Sequence, residues 1–141
     1  MKYSFRMVYL IVAWLLVLGV LAQVFLAGMV VVSGQMGWGE HIVLGHALGL
    51  PLMLMLLSAY LGRSPAVITR LTWLLFGVYV LQADVIIFMR GSAPLVAAFH
   101  PVLALVDFSL GLTLALRAWP VLRQPEGIAG DLSAPKPSLA D

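Results

Sequence analysis

"GWGEHIVLGHALGL", residues 37 to 50, carries two of the chain's three histidines and one of its six acids, in a sequence that is otherwise 62% hydrophobic. The glycines around Trp38 read as the close of a connection. From His41 onward the residues are apolar enough to open a helix crossing a bilayer. The placement decides the fold, because it sets two imidazoles at the mouth of such a helix rather than on a solvated surface.

The whole chain has 141 residues, 10% of them charged, and a mean hydropathy of +1.06. These values lie far outside the range of soluble domains and predict an all-α integral membrane protein. The pI near 9.3 rests on eight Lys and Arg against six Asp and Glu, too scattered to form a nucleic-acid surface. Cysteine is absent, which excludes disulfides, thiolate ligands, Fe–S clusters and Cys-based catalysis. Any metal chemistry must use His, Met and carboxylates.

Four apolar runs predict helices over about 7–32, 41–61, 71–89 and 101–121, each near the roughly 20 residues that a bilayer requires. Turn chemistry separates them at "SGQMGWGE" (33 to 40), "GRSPAVITR" (62 to 70) and "RGSAP" (90 to 94). Such short connections make neighbours antiparallel and predict an up-down-up-down bundle over residues 1–123. Residues 124–141, with Pro125, Pro135 and Pro137 among polar residues, read as a disordered tail. Lys2, Arg6, Arg63, Arg70, Arg117, Arg123 and Lys136 fall on one side, leaving Arg90 opposite. The positive-inside rule then places both termini in the cytoplasm of a bacterial inner membrane.

The two halves overlay with an offset of 59 residues. Trp14 falls on Trp73, Gln23 on Gln82, Ser33 on Ser92 and His41 on His100. Trp, Gln and His are scarce here, so their coincidence reads as a two-hairpin pseudo-repeat with its axis along the membrane normal. His41 and His100 then open the second and fourth helices at one depth. Two imidazoles facing each other inside a four-helix bundle suit the two axial positions of a haem iron.

Small residues share their faces: Gly45 and Gly49 near His41, and Ala104, Asp107 and Gly111 near His100. They leave room for a flat ring. The alternative is close helix packing, for which Gly45 and Gly49 have the "GxxxG" spacing. His46, five residues beyond His41, points away from it on a straight helix. Arg90 suits either a haem propionate or an end anchor in the headgroups. Asp107, about 10 Å deeper than His100, is an intramembrane acid of the kind that marks proton or ligand paths. Gln23 and Gln82 read as bundle hydrogen bonds or, alternatively, a quinone contact.

"GEHIVLGHALGLPL", with "YVLQADV" in the third helix and "AAFHPVLALVDF" opening the fourth, resembles one four-helix half of the heme A synthase family, and small four-span bacterial membrane proteins of that layout. The resemblance covers residues 20 to 118 and implies that His41 and His100 ligate haem. The family pattern has a Glu three residues before its histidine, an Arg after it and paired loop cysteines. Here Glu40 is adjacent, Ile42 follows, and no cysteine exists. The expectation is therefore a small b-type cytochrome with one haem b, an electron carrier or haem handler rather than a haem-modifying enzyme. Its expected partners are membrane lipids, a redox protein or quinone, and a second copy as a homodimer. The alternatives are a cofactor-free membrane scaffold and a quinone- or lipid-binding accessory protein.

Overall fold

The structure, a computed structural model, describes residues 2–34 and 36–123. It is all-helical, and four helical stretches are long and apolar enough to cross a membrane: Lys2–Ser33, Gly39–Leu61, Ala66–Gly91 and Pro94–Pro120. The tail expected at 124–141 lies outside the described residues.

The first span is α1 (Lys2–Gly28) followed by a π turn over Met29–Ser33, and it ends at Gly34, whose φ of 65° is left-handed. Glycine adopts that conformation without the cost that a Cβ brings. The second span divides into α2 (Gly39–Ala47) and α3 (Gly49–Leu61). Pro51 has no N–H for the Ala47 carbonyl, and the next bond, Leu52 N–H to Leu48 O, is stretched to 3.4 Å. The third span is α4 (Ala66–Val80), a π turn over Leu81–Val85, a short α5 (Ile86–Phe88) and a 3-10 turn over Met89–Gly91. Helix α4 takes in most of the connection expected at 62 to 70, because Pro65 starts it early: the Ile68 and Thr69 N–H groups both reach the Pro65 carbonyl. A short α6 (Pro94–Ala97) leads into α7 (His100–Arg123).

Helix α1 packs on α3 and α7, and α4 packs on the same two. The apolar core lies in the half away from the histidines, around Tyr9, Leu10, Leu52, Met55, Leu75 and Leu114. Ala13, Ala59, Ala115 and Ala118 are buried there, and such small side chains let backbones approach closely. The Tyr9 and Thr72 hydroxyls meet at 2.7 Å, and Thr72 donates to the Ile68 carbonyl at 2.8 Å. Large apolar residues such as Phe25, Val32, Val43, Phe88 and Leu95 face outward. The half holding the histidines is packed differently, with polar groups between the helices.

Candidate functional site

His41 stands in the first turn of α2 and His100 opens α7. Pro101 is tolerated beside it because the first turn needs no donor there. The two rings come together with centroids 6.2 Å apart and planes at 72°. Each Nδ1 meets a backbone carbonyl, His41 that of Gln23 at 3.1 Å and His100 that of Gln82 at 2.9 Å. A carbonyl only accepts, so Nδ1 carries a proton on each ring, and in the neutral form Nε2 is the nitrogen with the lone pair. The residues matched by the 59-residue offset thus make matching contacts.

A helical carbonyl is ordinarily occupied by the N–H four residues on. At Gln82 the π turn changes this. The Ile86 N–H goes to Leu81 O, so the Gln82 carbonyl is open to His100. On the other side Gln23 adds a reciprocal bond, its Nε2 donating to His41 O at 2.8 Å. Trp38 closes edge-on against His41 with centroids 5.4 Å apart.

The glycines shape the space beside His41. A Cβ on Gly45 would stand 2.7 Å from Gln23 Nε2, and one on Gly49 would stand 3.1 Å from the Tyr79 hydroxyl. The clearance expected for a flat ring is therefore held by the Gln23 and Tyr79 side chains. Tyr79 donates to Gly45 O at 2.9 Å and lies 3.2 Å from His46 O, tying the third span to the second. Sequence reasoning missed Tyr79, whose one signal is its place in "YVLQADV". A Cβ on Gly111 would meet Val17 and Leu16 at 3.7 and 3.8 Å, ordinary contact distances. Ala104 is half-buried.

Asp107 is only 4% exposed, with the Gln82 side chain beside it. Neither carboxylate oxygen has a hydrogen-bond partner among the described residues, and the same holds for Gln23 Oε1 and Gln82 Oε1. Asp107 breaks the symmetry of the site, since its equivalent at the 59-residue offset is the buried Leu48.

His46 takes no part in the histidine pair. Its Nδ1 bonds to Ile42 O at 2.9 Å, and its Nε2 lies 3.7 Å from Asp84 Oδ1, both side chains more than half exposed. Arg90 is exposed in the turn at the same end of the bundle. Among the described residues no three His, Cys, Asp or Glu gather into a metal-binding group. His41 and His100 are two of the three histidines, and they bring two imidazoles to one place between the second and fourth spans.

No curated protein and no solved structure matches the chain. Residues 23–87 match a model described as a family of unknown function, DUF6220, a stretch that holds Gln23, His41, Tyr79 and Gln82 and ends before His100.

Proposed function

We propose that the chain is a multi-pass protein of the bacterial inner membrane, an up-down-up-down bundle that holds one haem b between His41 and His100 and carries single electrons. The observation that carries this reading is the pairing of the two imidazoles with Nδ1 engaged on both. A metal–imidazole nitrogen bond is about 2 Å long and the ring centre lies about 1 Å behind that nitrogen. Ring centres 6.2 Å apart would leave space for one ion between two ring nitrogens. Metal-ligating histidines almost always donate their other N–H to a carbonyl or carboxylate, the role that Gln23 and Gln82 fill here.

Held by His41 and His100, a haem would supply one-electron transfer rather than oxygen chemistry. The chain's residues orient and enclose. Gln23 and Gln82 fix the ring tautomers, Gly45 and Gly49 admit the side chains that brace α2, and Arg90 is the cation at that end for a propionate. Positive charge at the other end favours cytoplasmic termini. The outward-facing apolar side chains suit lipid surroundings, with a lipid-phase quinone or redox protein as the electron partner and a second copy as a neighbour. On this reading the chain resembles one half of the heme A synthase family in its haem ligation and not in its catalysis.

A second reading has an observation of its own. Gln23 and His41 exchange two hydrogen bonds, and such a clasp holds two helices together without any cofactor, as a membrane scaffold would need. The visible spectrum of full-length protein, purified in detergent from haem-supplied cells, tests both. A Soret band with the sharp α and β bands of low-spin bis-imidazole haem is the expected result, and its absence leaves the scaffold.

A further inference from the structure

At the end of the bundle away from the histidines, α3 closes in two backbone bonds, Ser64 N–H to Ala59 O at 2.9 Å and Arg63 N–H to Tyr60 O at 3.0 Å. This is the paired closure in which the penultimate residue is left-handed and is usually glycine. Here that residue is Arg63, with φ of 49°, and among the described residues no other non-glycine has a positive φ. Glycine stands one place earlier for a separate reason. A Cβ on Gly62 would fall 2.8 Å from Ser58 O and 3.2 Å from Arg6 Cγ, and Arg6 Nε donates to Gly62 O at 3.0 Å.

The strained turn places Arg63 on a groove of about 340 Å³, lined also by Ser64, Thr69, Arg70, Tyr60 and Trp73. Trp73 Nε1 donates to the Tyr60 hydroxyl at 2.9 Å and makes an aromatic wall. Ser64 Oγ is buried with no partner among the described residues. The N-terminus of the 15-residue α4 begins at the same place, adding its free N–H groups and its positive dipole end. Two guanidiniums, three hydroxyls and the first residue of α4 line the groove, and no carboxylate does. Among the described residues the acids are Glu40, Asp84 and Asp107, and Arg63 and Arg70 have no ion-pair partner.

The geometry points to a binding site for the phosphodiester headgroup of an acidic phospholipid, held by Arg63 and Arg70 with its acyl chains along the Tyr60–Trp73 wall. Guanidiniums match phosphate oxygens in pairs, and an aromatic wall at the headgroup level receives the glycerol end of a lipid. Inorganic phosphate offers the same oxygens without the chains. The site does not depend on haem.

The test uses the full chain in phosphatidylcholine vesicles carrying either brominated phosphatidylglycerol or brominated phosphatidylcholine, and reads the Trp73 part of the fluorescence quenching as the difference from Trp73→Phe. Phosphatidylglycerol should quench preferentially, with a binding preference of about five-fold per arginine. Arg70→Ala should lose one such factor. Arg63→Gly should lose another while its melting temperature holds or rises, because glycine relaxes the left-handed turn; a purely structural arginine would not separate the two readouts. Equal quenching by both lipids in the wild type, or an undiminished preference in the Arg63→Gly/Arg70→Ala double variant, overturns the proposal. Relief of quenching by millimolar inorganic phosphate assigns the groove to a free anion instead. A preference that emerges only in Glu126→Gln/Asp131→Asn/Asp141→Asn assigns it to the chain's own acidic tail; either result also overturns the lipid.

Discussion

His41 and His100, 59 residues apart in the chain, stand with their rings 6.2 Å apart at 72°, each braced from behind by the backbone carbonyl of a glutamine 18 residues before it. The bracing settles which nitrogen faces forward. It also makes the two histidines equivalent in a way that His46, bonded to its own helix and facing Asp84, does not share.

Removing either member of the pair should therefore remove the bis-histidine signature. We expect His41→Ala and His100→Ala each to abolish the low-spin spectrum, while His46→Ala changes the intensity or stability of the band at most. Spectra of the three variants, purified from cells supplied with haem, check this. Loss of haem in His46→Ala with retention in His41→Ala would overturn the choice of ligand on α2.

Gly45 and Gly111 should respond oppositely to the same methyl group. A Cβ at Gly45 runs into Gln23 Nε2 at 2.7 Å and must displace the bond to His41 O, so Gly45→Ala should destabilise the protein by about 1–3 kcal/mol. At Gly111 the methyl meets side chains at 3.7 Å or more, and Gly111→Ala should gain up to about 1 kcal/mol from helix propensity. Thermal unfolding in detergent distinguishes the two, and equal effects would contradict the contacts described.

Asp107 should link electron and proton uptake. If a haem is held between His41 and His100, reducing it would add negative charge to a region where this buried carboxylate has no counter-charge among the described residues, which would favour proton uptake there. The midpoint potential should fall as pH rises, and Asp107→Asn should flatten the slope. A redox titration across pH decides it; an unchanged slope in the variant takes Asp107 out of the mechanism.

Both termini should lie in the cytoplasm, because seven of the eight basic residues belong to the arginine end of the bundle or the tail. A carboxy-terminal fluorescent-protein fusion should be bright and an alkaline phosphatase fusion inactive. An active phosphatase fusion would invert the orientation.

The sequence by itself determined the helices and the candidate pair. A run of apolar residues as long as Leu71 to Met89 has few alternatives to a buried or lipid-facing helix. The coincidence of Trp14 with Trp73, Gln23 with Gln82 and His41 with His100 at one offset was enough to nominate two imidazoles for the same level. Tertiary structure decided what surrounds them. The partners of His41 and His100 are backbone carbonyls, identical in every residue, and only the π turn at Leu81–Val85 shows why the one at Gln82 is free. Whether a glycine leaves open space depends on what another helix places opposite it: at Gly45 that is Gln23, and at Gly49 it is Tyr79. Likewise "GRSP" reads as a turn, but only the closing bonds of α3 show that Arg63, and not Gly62, takes the left-handed position. Hydropathy and spacing are properties of the chain read locally, whereas the filling of a gap and the freeing of a carbonyl arise only when distant segments meet.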